Sequence, residues 1–262
     1  MRVIKLTIQY EGTAYVGWQR QKVGISVQGV LESALAEIEG AEVNVVGAGR
    51  TDAGVHALGQ VASVRLQCSI ALPSLRRALN AILPKDIRVI SAEKMSKTFN
   101  ARSEARSKTY QYFVMTGSVI SPFERRYVWH ASQPLNVKSM TEAAILLKGR
   151  HDFSAFQTSG GSVKTTIRTI TKIEVGEVTS AHFFSPIVST VTRASGSSLL
   201  VFRICGDGFL RHMVRAIVGT LIDIGSGRRE PQNIDEILMS GDRSQAGPTA
   251  PPQGLFLVGV DY

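Results

Sequence analysis

The stretch VNVVGAGRTDAGVHALGQVASVRL, residues 43–66, contains a glycine-rich segment between two apolar runs. Residues 43–46 form a short apolar run, and residues 60–66 are typical of a returning strand. Glycine adopts positive φ angles without steric cost and lets another molecule approach the backbone closely. The stretch therefore predicts a loop between two strands, with Arg50 and Asp52 on that loop.

The residues before this stretch predict one strand and one helix. Residues 3–10 alternate between apolar and polar side chains, which is typical of a half-buried strand. After Ser26, a residue type preferred at helix N-termini, apolar side chains recur at intervals of three and four up to Ile38. Gly40 supplies a stop, so we expect an amphipathic helix between Ser26 and Gly40.

The residues after the stretch predict a second helix and another strand. Apolar side chains from Leu75 to Ile82 are helically spaced and stop before Pro84, and residues 87–95 follow as a strand. The first lobe is thus predicted to run strand, helix, strand, strand, helix, strand.

A second round of elements follows. We expect strands at 108–116, 165–175, 199–205 and 255–260, a helix containing Met140 to Leu147 and ended by Gly149, and a long helix from Leu210 to Leu221 before Gly225. Residues 110, 112 and 114 should share one face of their strand, and residues 176–198 resemble a long hairpin arm or loop.

This order predicts an α+β chain of two similar α/β sandwich lobes, ferredoxin-like or RRM-like, with largely antiparallel sheets and a central cleft. The expected lobes are residues 1–105, which carry the Asp52 loop, and residues 106–262, which carry Tyr110 and Arg215.

Composition bounds the class of protein. The chain has 262 residues, of which 44% are hydrophobic and 19% charged, so a disordered or fibrous protein is excluded. A formal net charge of +9 suits a polyanionic partner, and nucleic acid is the leading one. No leader or membrane anchor is expected from the first residues, MRVIKLTIQY, and two distant cysteines, Cys68 and Cys205, favour the reducing cytoplasm.

The motifs narrow the function. A loop aspartate is most often a turn former, so Asp52 by its spacing alone does not establish catalysis. However, residues 49–57, Gly-Arg-Thr-Asp-Ala-Gly-Val-His-Ala, followed by Gln60-Val61, resemble the signature of the TruA family of tRNA pseudouridine synthases. Segments on both sides of it are similar to other family motifs and occur in the family's order. They are Tyr10–Thr13, Gly17–Gln21, Ser26–Gln28, Phe99–Arg102, Lys108–Tyr112, His151–Phe156, Gly208–Arg215 and Gly254–Leu257.

The resemblance implies isomerisation of uridine without a cofactor. The glycosidic bond is broken, the base is turned, and it is reattached through carbon 5. Asp52 matches the family's essential aspartate, which acts as a carboxylate close to the sugar and the uracil ring. Whether it attacks the sugar, adds to the base or removes a sugar proton stays open, because all three steps use the same ionised group.

The resemblance also assigns three supporting residues. Arg215 matches the basic residue that pairs with the aspartate, although an arginine on an amphipathic helix is otherwise usually solvated. Tyr110 matches the tyrosine that stacks on the target base, and would otherwise be a core residue of its strand. Arg50 resembles the arginine that helps to extract the uridine, and could alternatively contact a phosphate. Tyr112 and His56 are expected to be structural.

The resemblance further implies a homodimer that acts on the anticodon arm of tRNA, at positions 38, 39 and 40. Four basic residues are considered for phosphate contacts: Lys164, Arg168, Arg125 and Arg126.

Three alternatives remain. The first is the same chemistry on other uridines or another RNA. The second is an RNA-binding protein without catalysis on the same scaffold, against which the presence of Asp52, Tyr110 and Arg215 argues. The third, a metal-dependent nuclease, would require clustered carboxylates or histidines, and the sequence predicts no metal site.

Overall fold

A computed structural model describes residues 1–158, 160, 163–178 and 197–262. Most of the arm expected at residues 176–198 lies outside the described residues. The chain divides into two compact units, the first comprising Met1–Lys108 with Phe256–Tyr262 and the second Thr109–Leu255.

The described part of the chain combines strands with helices, as an α+β protein does. The strands are β1 Arg2–Tyr10, β2 Val45–Gly47, β3 His56–Leu66, β4 Ile87–Met95, β5 Ser107–Thr116, β6 Trp129–Ala131, β7 Gly149–Asp152, β8 Ile167–Glu177, β9 Leu199–Gly206 and β10 Leu255–Asp261. The α-helices are α1 Val27–Glu39, α2 Leu72–Ile82, α3 Val137–Leu146, α4 Met213–Gly225 and α5 Asn233–Ser240. Single turns of 3₁₀-helix lie at Ser154–Phe156, Arg243–Gln245 and Pro252–Gly254. The predicted fold class is confirmed at this level.

The first unit is built on a sheet in the order β4, β1, β3, β10, and β2 also pairs with β3. The pairs of β1 with β3 and β4 are antiparallel, whereas β10 runs parallel to β3 and places Phe256 opposite His56. β10 thus groups with the first unit, whereas the sequence analysis placed it in the second lobe. The reason is a long-range strand pairing, which local sequence patterns do not encode.

The alternation of apolar and polar residues along β1 places the apolar side chains on the buried face of the sheet, as predicted. Ile4, Leu6, Ile8 and Tyr10 are all buried. The side chains between them are more exposed, because successive residues of a strand point to opposite faces of the sheet.

Helix α1 begins and ends where the sequence indicates. The Ser26 side chain accepts a hydrogen bond from the Gly29 amide at 3.2 Å, which satisfies one of the free N–H groups of the first turn. Gly40 takes a left-handed conformation at φ 74°, and its amide bonds to the carbonyl of Ala36.

In the second unit β7 pairs with β8 and β8 with β9, both antiparallel, and β9 neighbours β5. β6 pairs with β5 in parallel. The sheet of this unit is therefore mixed but mainly antiparallel.

Two local expectations are wrong. Gly149 begins β7 rather than ending a helix, because α3 stops at Leu146. Helix α4 starts at Met213 rather than Leu210, since His212 has a positive φ of 62° and interrupts the helical backbone. The strand expected at 108–116 is present as β5, and its residues from Tyr110 onward are all buried.

No helix within the described ranges has the length and apolar character needed to cross a bilayer.

Candidate functional site

Asp52 lies on the loop between β2 and β3, and its side chain is half-buried. The residues that follow it turn tightly, with the Val55 amide bonded to the Asp52 carbonyl at 3.2 Å. The chain then enters β3 at His56, four residues earlier than the sequence predicted. Asp52 therefore sits immediately before a buried strand, which fixes the C-terminal side of its loop.

A second segment, residues 12–18, holds the loop from the other side. The Trp18 amide donates to the Thr51 carbonyl at 3.1 Å, and the Gly54 amide donates to the Tyr15 carbonyl at 3.3 Å. Gly17 has φ +106°, and a Cβ there would lie 2.6 Å from the Thr51 carbonyl oxygen. A side chain at position 17 could not coexist with this loop.

The same segment connects the loop to the start of α1. The carbonyls of Gly17 and Trp18 accept hydrogen bonds from the amides of Val27 and Gln28, at 3.2 and 3.0 Å. These are two of the amides that a helix N-terminus leaves without partners within the helix. The backbone of α1 is thus linked through residues 17 and 18 to the residue that precedes Asp52.

Polar side chains beneath the loop complete its support. The hydroxyls of Tyr10 and Thr51 lie 2.8 Å apart, and buried Gln60 donates from Nε2 to the Gly49 carbonyl at 3.0 Å. Burial raises the pKa of the Tyr10 hydroxyl to about 12, although hydrogen bonds with Thr51 and Gln60 act in the opposite direction. Because a buried polar group is costly without a partner, these bonds favour one position of the loop.

His56 is buried at the end of the loop. Its Nδ1 accepts a hydrogen bond from the Gly12 amide at 3.0 Å, and its ring stacks on Phe256 with centroids 4.6 Å apart. The contacts agree with the structural role expected for this histidine.

Arg50 is exposed, and its Nε donates to Oε1 of Gln19 at 3.1 Å. Arg50 and Asp52 thus share one loop of the first unit, with the arginine outermost. An exposed guanidinium on a fixed loop can reach a phosphate or a nucleobase.

Tyr110 lies in the second unit, on β5, and its ring is buried. Phe209 packs against it in an edge-to-face arrangement, with ring centroids 5.1 Å apart and planes at 83°. Sequence reasoning did not single out Phe209, although it noted the segment Gly208–Arg215 that contains it. Phe209 fixes the orientation of the tyrosine ring.

Arg215 lies on α4, where the other twelve residues are all buried. Its Nε donates to the Ala250 carbonyl at 2.7 Å, and its own carbonyl accepts from the Ala250 amide at 3.1 Å. Burial raises the pKa of the Tyr112 hydroxyl well above its ordinary range, while the charge of Arg215 acts to lower it. Arg215 is therefore a half-buried residue whose guanidinium and backbone carbonyl each form a hydrogen bond with Ala250.

His212, the residue before α4, has a positive φ of 62°. Nδ1 of His212 lies 2.9 Å from the Thr158 hydroxyl, and the Thr158 amide donates to the Arg211 carbonyl at 3.3 Å. These contacts stabilise the turn at His212, which lies between Phe209 and Arg215 in the chain.

Within the residues the structure describes, no group of three or more His, Cys, Asp or Glu side chains is arranged to hold a metal ion.

The comparisons with known proteins decide the family. A family model described as tRNA pseudouridine synthase matches residues 6–102 and 143–262. The chain belongs to the TruA family of tRNA pseudouridine synthases. It is similar over its full length, and over theirs, to tRNA pseudouridine synthase A 2 of Clostridium perfringens at 41% identity and tRNA pseudouridine synthase A of Pelobacter propionicus at 43%. The protein of that name from Thermoanaerobacter sp. is 42% identical, again over all of both chains.

The TruA motif predicts the loop that carries Asp52 but not the residues that hold this loop in place. Gln60 was noted only as part of the motif, and the bonds of Gly17 and Trp18 to Thr51 and α1 were not expected. One available signal was the presence of TruA motifs at 10–13, 17–21 and 26–28, since each range supplies at least one residue that bonds to residues 50–56 or to residues 17 and 18. The four predicted site residues divide equally, with Asp52 and Arg50 in the first unit and Tyr110 and Arg215 in the second.

Proposed function

We propose that this protein isomerises uridine to pseudouridine in the anticodon arm of tRNA, at positions 38, 39 and 40, with Asp52 as the essential carboxylate. The observation that carries the proposal is the similarity to tRNA pseudouridine synthases over the whole chain, with the Asp52 loop intact in sequence. The bonds that hold this loop support it, because a reacting group must be fixed close to its productive geometry.

The reaction is an isomerisation and consumes no co-reactant. The bond between uracil N1 and ribose C1′ breaks, the base turns, and C5 bonds to C1′. The proton on C5 leaves to solvent, and N1 acquires one. A carboxylate on Asp52 acts in this sequence at the sugar or at the base, and the proposal needs no cofactor.

The supporting roles belong to the same proposal. Arg215 pairs with Asp52 and balances the negative charge of its carboxylate when the site excludes water. Tyr110 stacks on the target base after it leaves the helical stack, with Phe209 setting the ring's orientation. Arg50 helps to extract the uridine, which suits its exposed position.

The test is release of tritium from carbon 5 of uridine in unmodified tRNA, with no metal ion or nucleotide added. We expect release by the wild type and none by Asp52→Ala or Asp52→Asn. Asp235→Asn, which removes an exposed carboxylate on α5, should release tritium at the wild-type rate. Absence of release by the wild type despite tRNA binding would refute the proposal and favour RNA binding without catalysis.

Mapping the product identifies the positions. Sequencing of the modified tRNA should place pseudouridine at 38, 39 or 40, and modification confined to other uridines would refute that part. We also propose that the protein works as a homodimer in the cytoplasm. Light scattering should give the mass of two chains under assay conditions, and the mass of one chain would refute the proposed homodimer.

A further inference from the structure

The segment between β5 and β6, residues 117–128, forms a tight turn. The Ser121 carbonyl accepts hydrogen bonds from the amides of Glu124 and Arg125, at 3.0 and 3.2 Å. The Tyr127 amide donates to the Glu124 carbonyl at 2.8 Å. The backbone of this segment is therefore held by its own hydrogen bonds.

The turn has an inner and an outer side. Glu124 and Val128 are buried, with 2% and 1% of their surface exposed. Phe123 is 69% exposed and Val119 67% exposed. Burial of Glu124 and Val128 anchors the turn and leaves the Phe123 ring in solvent.

Positive charge accompanies this exposed ring. Arg125 and Arg126 are both exposed and follow Phe123 by two and three residues. The sole acidic residue in the sequence of residues 117–128 is Glu124, which is on the buried side. The outer side of the turn therefore presents an aromatic ring and two guanidinium groups.

Single-stranded nucleic acid fits this combination. Aromatic side chains stack on unpaired bases of any identity, and basic side chains contact the phosphates on either side. A two-fold contact between this turn and the same turn of a second copy is disfavoured, because the exposed arginines of the two turns would face and repel each other.

We propose that residues 117–128 bind unpaired nucleotides of the RNA substrate, with Phe123 stacked on a base and Arg125 and Arg126 on neighbouring phosphates. The identity of that RNA as tRNA rests on the proposed function. The segment contributes affinity rather than chemistry.

The role of the Phe123 ring in RNA binding is tested by removing the ring and by replacing it with another aromatic ring. The dissociation constant for an unmodified tRNA transcript is measured by fluorescence anisotropy for Phe123→Ala, Phe123→Trp and the control Met239→Ala, which removes an 87% exposed apolar side chain from α5 of the same unit. We expect binding about 5- to 20-fold weaker for Phe123→Ala, and wild-type binding for the other two. Equal binding by Phe123→Ala and the wild type would overturn the proposal, as would a loss that Phe123→Trp does not restore.

The arginines are tested by salt dependence. Each phosphate contact contributes about 0.7 to the slope of log K against log salt for a single strand. We expect the slope to fall by roughly 1.4 in the Arg125→Ala/Arg126→Ala double variant. Lys138→Ala, an exposed charge on α3, should leave it unchanged. An unchanged slope in the double variant, or conversion of a dimer to a monomer by Phe123→Ala, would overturn the proposal, the latter in favour of a protein interface.

Activity separates this proposal from the function on which it rests. Tritium release should show a higher KM for Phe123→Ala at unchanged kcat, because the turn contributes to binding alone. Loss of kcat in that variant would overturn the assignment. If the wild type releases no tritium yet Phe123→Ala still weakens RNA binding, the enzymatic function fails and the RNA-binding turn stands. If the wild type is active and Phe123→Ala binds normally, the turn fails and the function stands.

Discussion

The hydroxyl groups of Tyr10 and Thr51 lie 2.8 Å apart, and they join the last residue of β1 to the residue before Asp52. Both side chains are buried, so neither hydroxyl can exchange this bond for water without opening the core. The loop that carries Asp52 is therefore coupled to the central strands of its unit. Support of this kind is what a precisely placed reacting group requires.

Tyr10→Phe should alter the pH dependence of stability. Burial raises the pKa of Tyr10 to about 12, whereas an unfolded tyrosine titrates near 10. The stability that neutral Tyr10 contributes is complete below pH 10 and is lost as the pH rises from 10 to 12, because the unfolded chain ionises first. We expect the free energy of unfolding of the wild type to fall by about 2–3 kcal/mol more than that of Tyr10→Phe across this range. Urea unfolding at several pH values checks this, and parallel pH profiles for the two proteins would contradict it.

Gly17→Ala should slow the reaction by displacing the Asp52 loop. A Cβ at position 17 would lie 2.6 Å from the Thr51 carbonyl oxygen and 3.1 Å from the Asp52 carbonyl carbon, so the loop must move. A displacement of about 1 Å in a catalytic group costs on the order of 100-fold in rate. We expect tritium release to slow by about that factor.

Gly40→Ala is the matched control for this substitution. Gly40 also has a positive φ, of 74°, but a Cβ there meets nothing within 4 Å. The variant should lose about 1–2 kcal/mol of stability from backbone strain and keep its rate of tritium release. Equal activities of the two variants would show that contact with the Asp52 loop has no catalytic consequence.

The helix before the Asp52 loop was predictable because its signals are local. Ser26 and Gly40 act on the backbone within a few residues of themselves, and both ends of α1 lie where these residues indicate. Helix α5 was missed because it has eight residues and buries only Ile234 and Ile237, too few to establish a period. The parallel pairing of β10 with β3 joins residues about 200 positions apart in the chain, and no local pattern encodes it.

The motifs supply candidate site residues but not the residues that hold them in place. Asp52, Arg50, Tyr110 and Arg215 were assigned by resemblance to the TruA family. Phe209 escaped notice because an apolar residue beside a tyrosine is visible only after β5 and the start of α4 are placed together. The hydrogen bonds of residues 17 and 18 use backbone atoms, which are the same for every sequence. Side-chain identity therefore predicts candidate site residues more readily than it predicts the contacts that hold them in place.

Tyr110 should tolerate loss of its hydroxyl but not of its ring. Stacking on a base uses the ring face, which Phe retains and Leu lacks. We expect Tyr110→Phe to keep most of its activity and Tyr110→Leu to lose roughly 5- to 150-fold in kcat/KM. Tyr112→Phe is the control, since it removes a hydroxyl that donates to the Pro251 carbonyl at 2.7 Å and should reduce stability alone. Equal losses in Tyr110→Phe and Tyr110→Leu would argue that the hydroxyl, rather than the ring, is the functional group.

Arg215→Ala should reduce both activity and stability, and a second arginine separates the two effects. Arg215 donates to the Ala250 carbonyl at 2.7 Å, while Arg243 holds the same segment through the Gly247 carbonyl and the Thr249 hydroxyl, at 2.9 and 2.8 Å. Removing either charged donor should cost about 1.5–3 kcal/mol of unfolding free energy.

If Arg215 also stabilises the Asp52 carboxylate, its loss alone should slow tritium release by about 100-fold or more at saturating tRNA, since removing a group that stabilises charge in a site typically costs this much. Arg243→Ala should retain its kcat at a temperature where both variants are folded. A similar fall in kcat for both variants would indicate that Arg215 acts only by holding residues 246–251. Arg215→Lys refines the distinction, because a lysine keeps the charge but lacks the planar guanidinium that donates to the Ala250 carbonyl. We expect it to restore part of the rate.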